Sequence, residues 1–265
     1  MLLPLEGRSI SYDLVGSENG PVVCMTHSLV TDGGMWAEQV PPLLAAGFRV
    51  LRLDMRGHGG SNPVVGDYTI SDLAGDVTVV LDSLGTAPVH FIGLSIGGVL
   101  GQSLAFEHRD RLASAMWCDT ALSTPGTPEE WRQRVDAVRA AGSLAPLADS
   151  TIEGFLTDAF KERNPGRYKQ IRDMIIGTTP AVYLGCIAAI RNFDFAARLP
   201  SVKLPVLVVC GADDTDTPPE FNRRITSLVP GARYEEIAHA RHFPNVENPD
   251  VFNRIMLDWL QAQRD

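Results

Sequence analysis

The chain is poor in the features that would tie it to an oxidising compartment, a metal, a membrane or a nucleic acid. It has four cysteines in 265 residues, Cys24, Cys118, Cys186 and Cys210, and no C-x-x-C spacing. Three of them sit in apolar, strand-like runs, so they read as free buried thiols in a reducing compartment and not as a disulfide framework. No His, Cys, Asp or Glu spacing of metal-ligand type occurs, and no metal or other cofactor is expected. No apolar run approaches the ~20 residues that a spanning helix needs. The opening stretch over 1–14 is too short, and too polar after Leu5, for a signal peptide. Basic residues are outnumbered, 23 Lys and Arg against 32 Asp and Glu, and the net charge of −9 argues against nucleic acid and anionic membranes as partners. There is no internal repeat and no low-complexity tract. The expected location is cytoplasmic, the expected partner a small molecule, and the expected state a monomer or small homo-oligomer.

What is present is an ordinary globular balance, 45% hydrophobic and 21% charged, in a length that suits one large α/β domain carrying an insertion. Strands are expected over 8–14, 21–26, 48–53, 89–94 and 112–117, each a short apolar or alternating run. Helices are expected between them over about 35–46, 69–84 and 99–108, the second with Thr69 or Ser71 as its cap. Polar loops follow the strand ends. That alternation predicts a mostly parallel, doubly wound sheet whose ligands sit in the crevice at the carboxyl ends of the strands. From 121 to about 195 the strand runs stop, and helices are expected over 128–141, 144–149, 152–160, 165–177 and 180–192. The pattern then returns with strands over 204–210 and 232–237 and helices over 219–228 and 249–263. The expected domains are a core over 1–120 and 197–265 and a helical lid, or cap, over 121–196.

The chemistry starts at Val89-His90-Phe91-Ile92-Gly93-Leu94-Ser95-Ile96-Gly97-Gly98, a strand running straight into Gly-x-Ser-x-Gly and then a helix. Such an elbow exposes one hydroxyl at the sheet edge and aims a helix amino terminus at it. Serine is a weak nucleophile at neutral pH and needs a base that a carboxylate orients. Two later strand ends offer both. One is the acidic turn Gly211-Ala212-Asp213-Asp214-Thr215-Asp216-Thr217-Pro218. The other is Ala238-His239-Ala240-Arg241-His242-Phe243-Pro244-Asn245. Ser, acid, His is the chain order expected of a nucleophile-elbow hydrolase.

Together with the loop Arg56-Gly57-His58-Gly59-Gly60-Ser61, these motifs make the chain resemble the α/β-hydrolase family from end to end. Within it, Ser28-Leu29-Val30-Thr31-Asp32 with Met35-Trp36, the 53–59 loop, Gly93 to Gly98, Cys118-Asp119-Thr120, 211–219 and 242–249 resemble 3-oxoadipate enol-lactonases. The resemblance implies an α/β-hydrolase fold and a cofactor-free serine hydrolase acting on a small ester or lactone of aromatic catabolism. It places the acid on Asp214, through Gly-x-x-Asp-x-x-x-Pro, and the base on His242, through His-x-x-x-x-Glu-x-Pro, leaving His239 as a surface neighbour. It places the oxyanion donors on the backbone N–H groups of Leu29 and Ile96, each worth ~3 kcal/mol in comparable hydrolases. The chain departs from the family's pattern at His27-Ser28 and at Val30, where Gly is expected. A β-branched residue disfavours left-handed backbone, so an altered loop path is expected there. His27 and His58 read as loop hydrogen-bonders and Arg56 as a structural ion-pair partner.

Substrate choice is expected to lie in the helical insertion. Trp131 and Arg134 are three apart on one helix and share a face, which the resemblance turns toward the pocket, where Arg134 would hold a substrate carboxylate. Met174, Tyr183 and Phe193 read equally well as packing. The same triad also serves general carboxylesterases, perhydrolase-like enzymes and carbon–carbon bond hydrolases, whereas a haloalkane dehalogenase would need Asp where Ser95 stands. A different class, the ligand receptor with an intact triad, differs in giving slow single-turnover cleavage and a ligand-dependent partner.

Overall fold

Short runs of aliphatic and β-branched residues form an eight-stranded sheet in the computed structural model, which describes residues 1–86 and 88–264. The elements run β1 (Leu2–Leu5), β2 (Arg8–Val15), β3 (Val22–Thr26), α1 (Val40–Ala45), β4 (Arg49–Leu53), α2 (Ile70–Leu84), β5 (Val89–Leu94), α3 (Ile96–Glu107) and β6 (Leu112–Cys118). Five helices follow without a strand: α4 (Pro128–Ala141), α5 (Ala145–Phe155), α6 (Asp158–Arg163), α7 (Pro165–Gly177) and α8 (Pro180–Ile190). The chain then returns to the sheet through β7 (Val206–Gly211), α9 (Pro219–Leu228), β8 (Arg233–Ile237), α10 (Pro244–Glu247) and α11 (Pro249–Gln261).

The strand order is β1-β2-β4-β3-β5-β6-β7-β8, with β2 antiparallel to both β1 and β4 at one edge and the other pairings parallel. Every residue of β5 and β7 is buried, as expected of strands covered by helices on both faces. The chain leaves β3 toward β4 on one side and later places β5 on the other. The ends of β3 and β5 therefore flank the switch point at which ligands of such sheets collect.

The expected α/β architecture is present, with local differences. The helix expected over 35–46 is split into a 3-10 turn, Gly33–Trp36, and α1, because Pro41 and Pro42 remove two backbone donors and fit only a first helical turn. The helices expected over 144–149 and 152–160 are instead one helix, α5, and a separate α6. Thr157 caps α6 by accepting the Phe160 N–H. The strand β1 and the short α10 carry too little periodicity to be read in advance. Thr69 caps α2 in a capping box with Asp72, and Gly85 closes the helix at φ 60°.

The helical stretch leaves and rejoins the sheet through a narrow neck. Ser123 and Asp194 form an antiparallel bridge, the Thr124 N–H donates to the Phe193 carbonyl at 3.2 Å, and the Phe195 N–H donates to the Leu122 carbonyl at 2.8 Å. Among the described residues, no single helix is long and apolar enough to cross a membrane.

Candidate active site

The turn after β5 holds Ser95 at φ 58°, ψ −120°, a backbone region that non-glycine residues rarely occupy. Its neighbours are small because nothing larger fits. A Cβ on Gly93 would lie 2.1 Å from the Gly97 carbonyl oxygen, and one on Gly97 would lie 2.6 Å from the Thr26 carbonyl oxygen. The helix α3 begins at Ile96, directly after the serine and three residues before the expected start. The Ile96 N–H is therefore a first-turn donor without an intrahelical acceptor.

On the neighbouring strand ends, Asp214 and His242 are buried and bonded to each other, with His242 Nδ1 2.9 Å from Asp214 Oδ2. Asp214 is held on all sides. Oδ1 accepts the N–H groups of Asp216 at 2.8 Å and Thr217 at 3.2 Å, and Oδ2 accepts the Thr217 hydroxyl at 2.7 Å. Burial alone would raise this carboxyl, but the charge and hydrogen bond of His242 and these donors outweigh it and hold Asp214 below the usual carboxylate value. For His242, burial pulls the imidazolium down, while the charge and hydrogen bond of Asp214, and Asp216 further off, carry it above the ordinary histidine value. His239 is exposed at the strand exit, with φ 57°. Asp213 is exposed, and Asp216 is only partly buried.

Ser95 and His242 line one cavity of about 550 Å³ at the carboxyl edge of the sheet. Leu29 and Ile96 line it as well, and so do Trp131 and Arg134 from the far side. Trp131 is buried, and its indole N–H donates to the Pro125 carbonyl at 2.6 Å. The exposed Arg134 guanidinium lies 5.4 Å from the Trp131 ring centroid. Tyr183 is also on this wall; burial raises its phenol, and the positive charge of Arg134 works against that rise. Arg139 is exposed on the same helix, and Phe193 lines the cavity.

The loop after β3 corrects one expectation. Val30 adopts φ 60° although it is β-branched, so the loop takes the left-handed path that glycine would favour. Two histidines hold it there. His58 Nε2 accepts the Val30 N–H at 3.3 Å, and its Nδ1–H donates to the Arg56 carbonyl at 3.0 Å. His27 Nε2 accepts the Met55 N–H at 2.9 Å, and its Nδ1–H donates to the Ser28 carbonyl at 2.7 Å. The rings lie 5.0 Å apart. Burial first, and then the neighbouring His27, push His58 down to about 3, so it stays a neutral linker. Burial likewise lowers His27, partly opposed by Asp54. Arg56 is engaged elsewhere, in an ion pair with the buried Asp76.

The base loop is also fastened to the helical stretch. Phe155, at the end of α5, stacks on the His242 ring with centroids 5.0 Å apart. Glu247 accepts the Thr157 N–H and hydroxyl, both at 2.6 Å, with one oxygen and the Arg241 N–H at 2.5 Å with the other. Residue spacing gives no sign of this clasp, because it joins positions 90 apart.

One group of potential metal donors occurs among the described residues, Asp119, Cys210 and Asp214, whose donor atoms lie within 4.8 Å of one another. Both Asp214 oxygens already accept hydrogen bonds. Burial, reinforced by Asp119 and Asp214, pushes the Cys210 thiol far up, so it keeps its proton. The cluster is a hydrogen-bonded knot at the ends of two neighbouring strands, β6 and β7. Asp119 has no counterpart in the sequence reading beyond its place in a matching motif.

Comparison with known proteins places this geometry in context. The family described as alpha/beta hydrolase fold matches residues 21–249. The chain is 30% identical over 265 residues to the 3-oxoadipate enol-lactonase 1 of Acinetobacter baylyi, covering 99% of this chain and 97% of that one. It resembles the crystal structure of the enol-lactonase from Burkholderia xenovorans LB400 at 36% identity and a TM-score of 0.94, over 98% of this chain and 100% of the other. A thermophilic esterase from Thermogutta terrifontis matches at 28% identity and a TM-score of 0.90, over 97% and 95%.

Proposed function

The chain belongs to the alpha/beta hydrolase family, and on that premise we propose that it cleaves a small lactone or carboxylic ester through an acyl-enzyme on Ser95. The observation that carries this reading is the buried, hydrogen-bonded Asp214–His242 pair opening onto the same cavity as a serine held at φ 58°. His242 takes the Ser95 proton as the hydroxyl oxygen attacks the substrate carbonyl. The oxyanion that forms accepts the N–H groups of Leu29 and Ile96, donors fixed by their loops before the reaction begins. As the C–O bond breaks, His242 returns the proton to the departing oxygen, which in a lactone stays tethered to the acyl group. Water then attacks the acyl-enzyme, again giving its proton to His242. Asp214 holds the Nδ1–H tautomer throughout and stabilises the imidazolium.

The substrate class proposed is an enol-lactone of the 3-oxoadipate type, supported by the enol-lactonases that match nearly the whole chain. An enolate is a good leaving group, so little acid assistance is needed for ring opening. Residues 121–196 act as a lid over a core of 1–120 and 197–265, and Arg134, backed by Trp131, receives an anionic group of the substrate. Four buried free thiols suit a reducing, cytoplasmic setting. A general carboxylesterase is the second reading, favoured by the largely aliphatic and aromatic lining of the cavity and by the esterase similarity.

Ser95→Ala is expected to lower kcat for p-nitrophenyl acetate on the order of 10⁶-fold while leaving the circular dichroism spectrum unchanged. Retained turnover would remove Ser95 from the mechanism. Rates across a panel of anionic lactones, neutral lactones and simple esters separate the two readings. Preference for simple esters over every lactone would favour the second.

A further inference from the structure

Asp119 directly follows β6, in surroundings that do not suit a carboxylate. The side chain is fully buried, Oδ1 accepts the Gly211 N–H at 2.7 Å, and Oδ2 has no donor. Its carboxyl sits in the same knot as Asp214 and Cys210, with donor atoms within 4.8 Å. Asp214 has three hydrogen-bond donors besides His242, so the negative charge of the pair belongs there. Two buried carboxyl groups this close do not both ionise, and the proton goes to the one with fewer donors. Burial first, and the charge of Asp214 second, push Asp119 well above the usual carboxylate range. The backbone keeps the group in place at a cost: Asp119 has φ 42°, left-handed for a residue other than glycine. Its N–H donates to the Val209 carbonyl at 2.8 Å, and the Ser95 N–H donates to the carbonyl of the preceding Cys118 at 2.9 Å. Asp119 thus stands between the elbow and the acidic turn.

We propose that Asp119 is a positioning residue of the hydrolytic site: a neutral carboxyl group whose Oδ2–H donates a hydrogen bond to the Asp214 carboxylate. This rests on the reading of Ser95, Asp214 and His242 as the reacting triad. The added donor fixes the rotation of Asp214 so that Oδ2 stays on His242 Nδ1. It does so without placing a second negative charge beside the imidazolium. Among the described residues, the neighbouring carboxylate is that of Asp216, which acts on His242 by charge and gives Asp214 only its backbone N–H, so it does not take over this role. Cys118 on β6 and Cys210 on β7 keep their protons through burial, and Asn222 on α9 is an amide bonded to Thr120 and Thr217. His242 is the one cation formed there, and only during turnover.

The test uses the full chain at pH 7 and three measurements. The infrared difference spectrum of wild type minus Asp119→Asn is expected to show a protonated-carboxyl C=O band. A carboxylate band in its place overturns the proposal. In Asp119→Asn, which keeps a neutral donor and an acceptor, the acid limb of the kcat/KM profile is expected to stay within about 0.3 pH unit of wild type. If Asp119 is ionised, its removal takes a negative charge away from the imidazolium, and the limb falls by about one unit; that result also overturns the proposal. Asp119→Leu, which removes the donor, is expected to lose about tenfold in kcat with KM unchanged, and Asn to recover it. Equal losses in Leu and Asn would mean that a donor at this position does not matter. Should the Leu variant fail to fold, the infrared band and the Asn profile still decide. Failure of the triad reading shows itself separately, as activity retained in Ser95→Ala with the infrared band unchanged.

Discussion

At the carboxyl edge of the sheet, the candidate reacting side chains leave strands whose ends are tied to one another: Ser95 to Cys118, Asp119 to Val209 and Gly211, Asp214 to His242. Across the cavity the wall is made of helices, where Trp131 is buried and Arg134 is exposed over its ring. The strand edge therefore holds its side chains through several hydrogen bonds each, with Asp214 and His242 buried. The helical wall offers surface, shape and the exposed charges of Arg134 and Glu130. Chemistry suits the first construction and choice of substrate the second, because a reacting centre tolerates no drift whereas a selecting surface can be altered one side chain at a time.

The largest test of the contrast is Asp214→Asn. Replacing the carboxylate removes the group that fixes the His242 tautomer, and kcat is expected to fall about 10⁴-fold. Because Asp214 is what raises His242, the acid limb of the residual kcat/KM profile is also expected to move to lower pH. An unmoved limb would mean that another group sets it. A smaller effect is expected on the helical side. Arg134→Gln should weaken kcat/KM for an anionic lactone by roughly 10- to 100-fold, the worth of one charged hydrogen bond, through KM and not kcat. Hydrolysis of p-nitrophenyl acetate should be unaffected, and equal losses on neutral and anionic substrates would deny this wall a role in reading charge. The smallest effect is on the surface. His239→Ala is expected to change kcat/KM by less than about twofold, since the exposed imidazole lies outside the cavity lining and its left-handed backbone would register in stability and not in turnover. A loss comparable to that of His242→Ala would reassign the base.

The alternating strands and helices of the sheet were legible because most strands are short apolar runs closed by a polar loop. Pro165, Pro180 and Pro219 marked helix starts for the same local reason, supplying a fixed φ at a position whose N–H has no partner. The misreadings have local physical causes as well. Pro41 and Pro42 lie in an otherwise helical pattern, and Pro4 masks an edge strand that tolerates it. Turn chemistry at three strand ends marked Ser95 and narrowed the acid and the base to two short turns, and the resemblance to α/β-hydrolases singled out Asp214 and His242 within them. Asp119, Glu247 and the left-handed Val30 could not be inferred, since what defines them arrives through space. Asp119 meets Gly211 from a strand 92 residues on, Glu247 reaches back to Thr157, and Val30 is held by His58.

The bridge at Ser123 and Asp194 bears on how such a chain can change over generations. The helical excursion leaves and re-enters the sheet at adjoining points, held by a bridge and two flanking backbone hydrogen bonds. A segment with matched ends can be lengthened, shortened or exchanged by recombination without shifting the register of β6 on β7. Because α5 also stacks Phe155 on His242, an incoming segment would have to supply a ring at that place. The neck thus lets the segment between Ser123 and Asp194 vary in length and content while the sheet stays as it is, provided that a ring remains against His242.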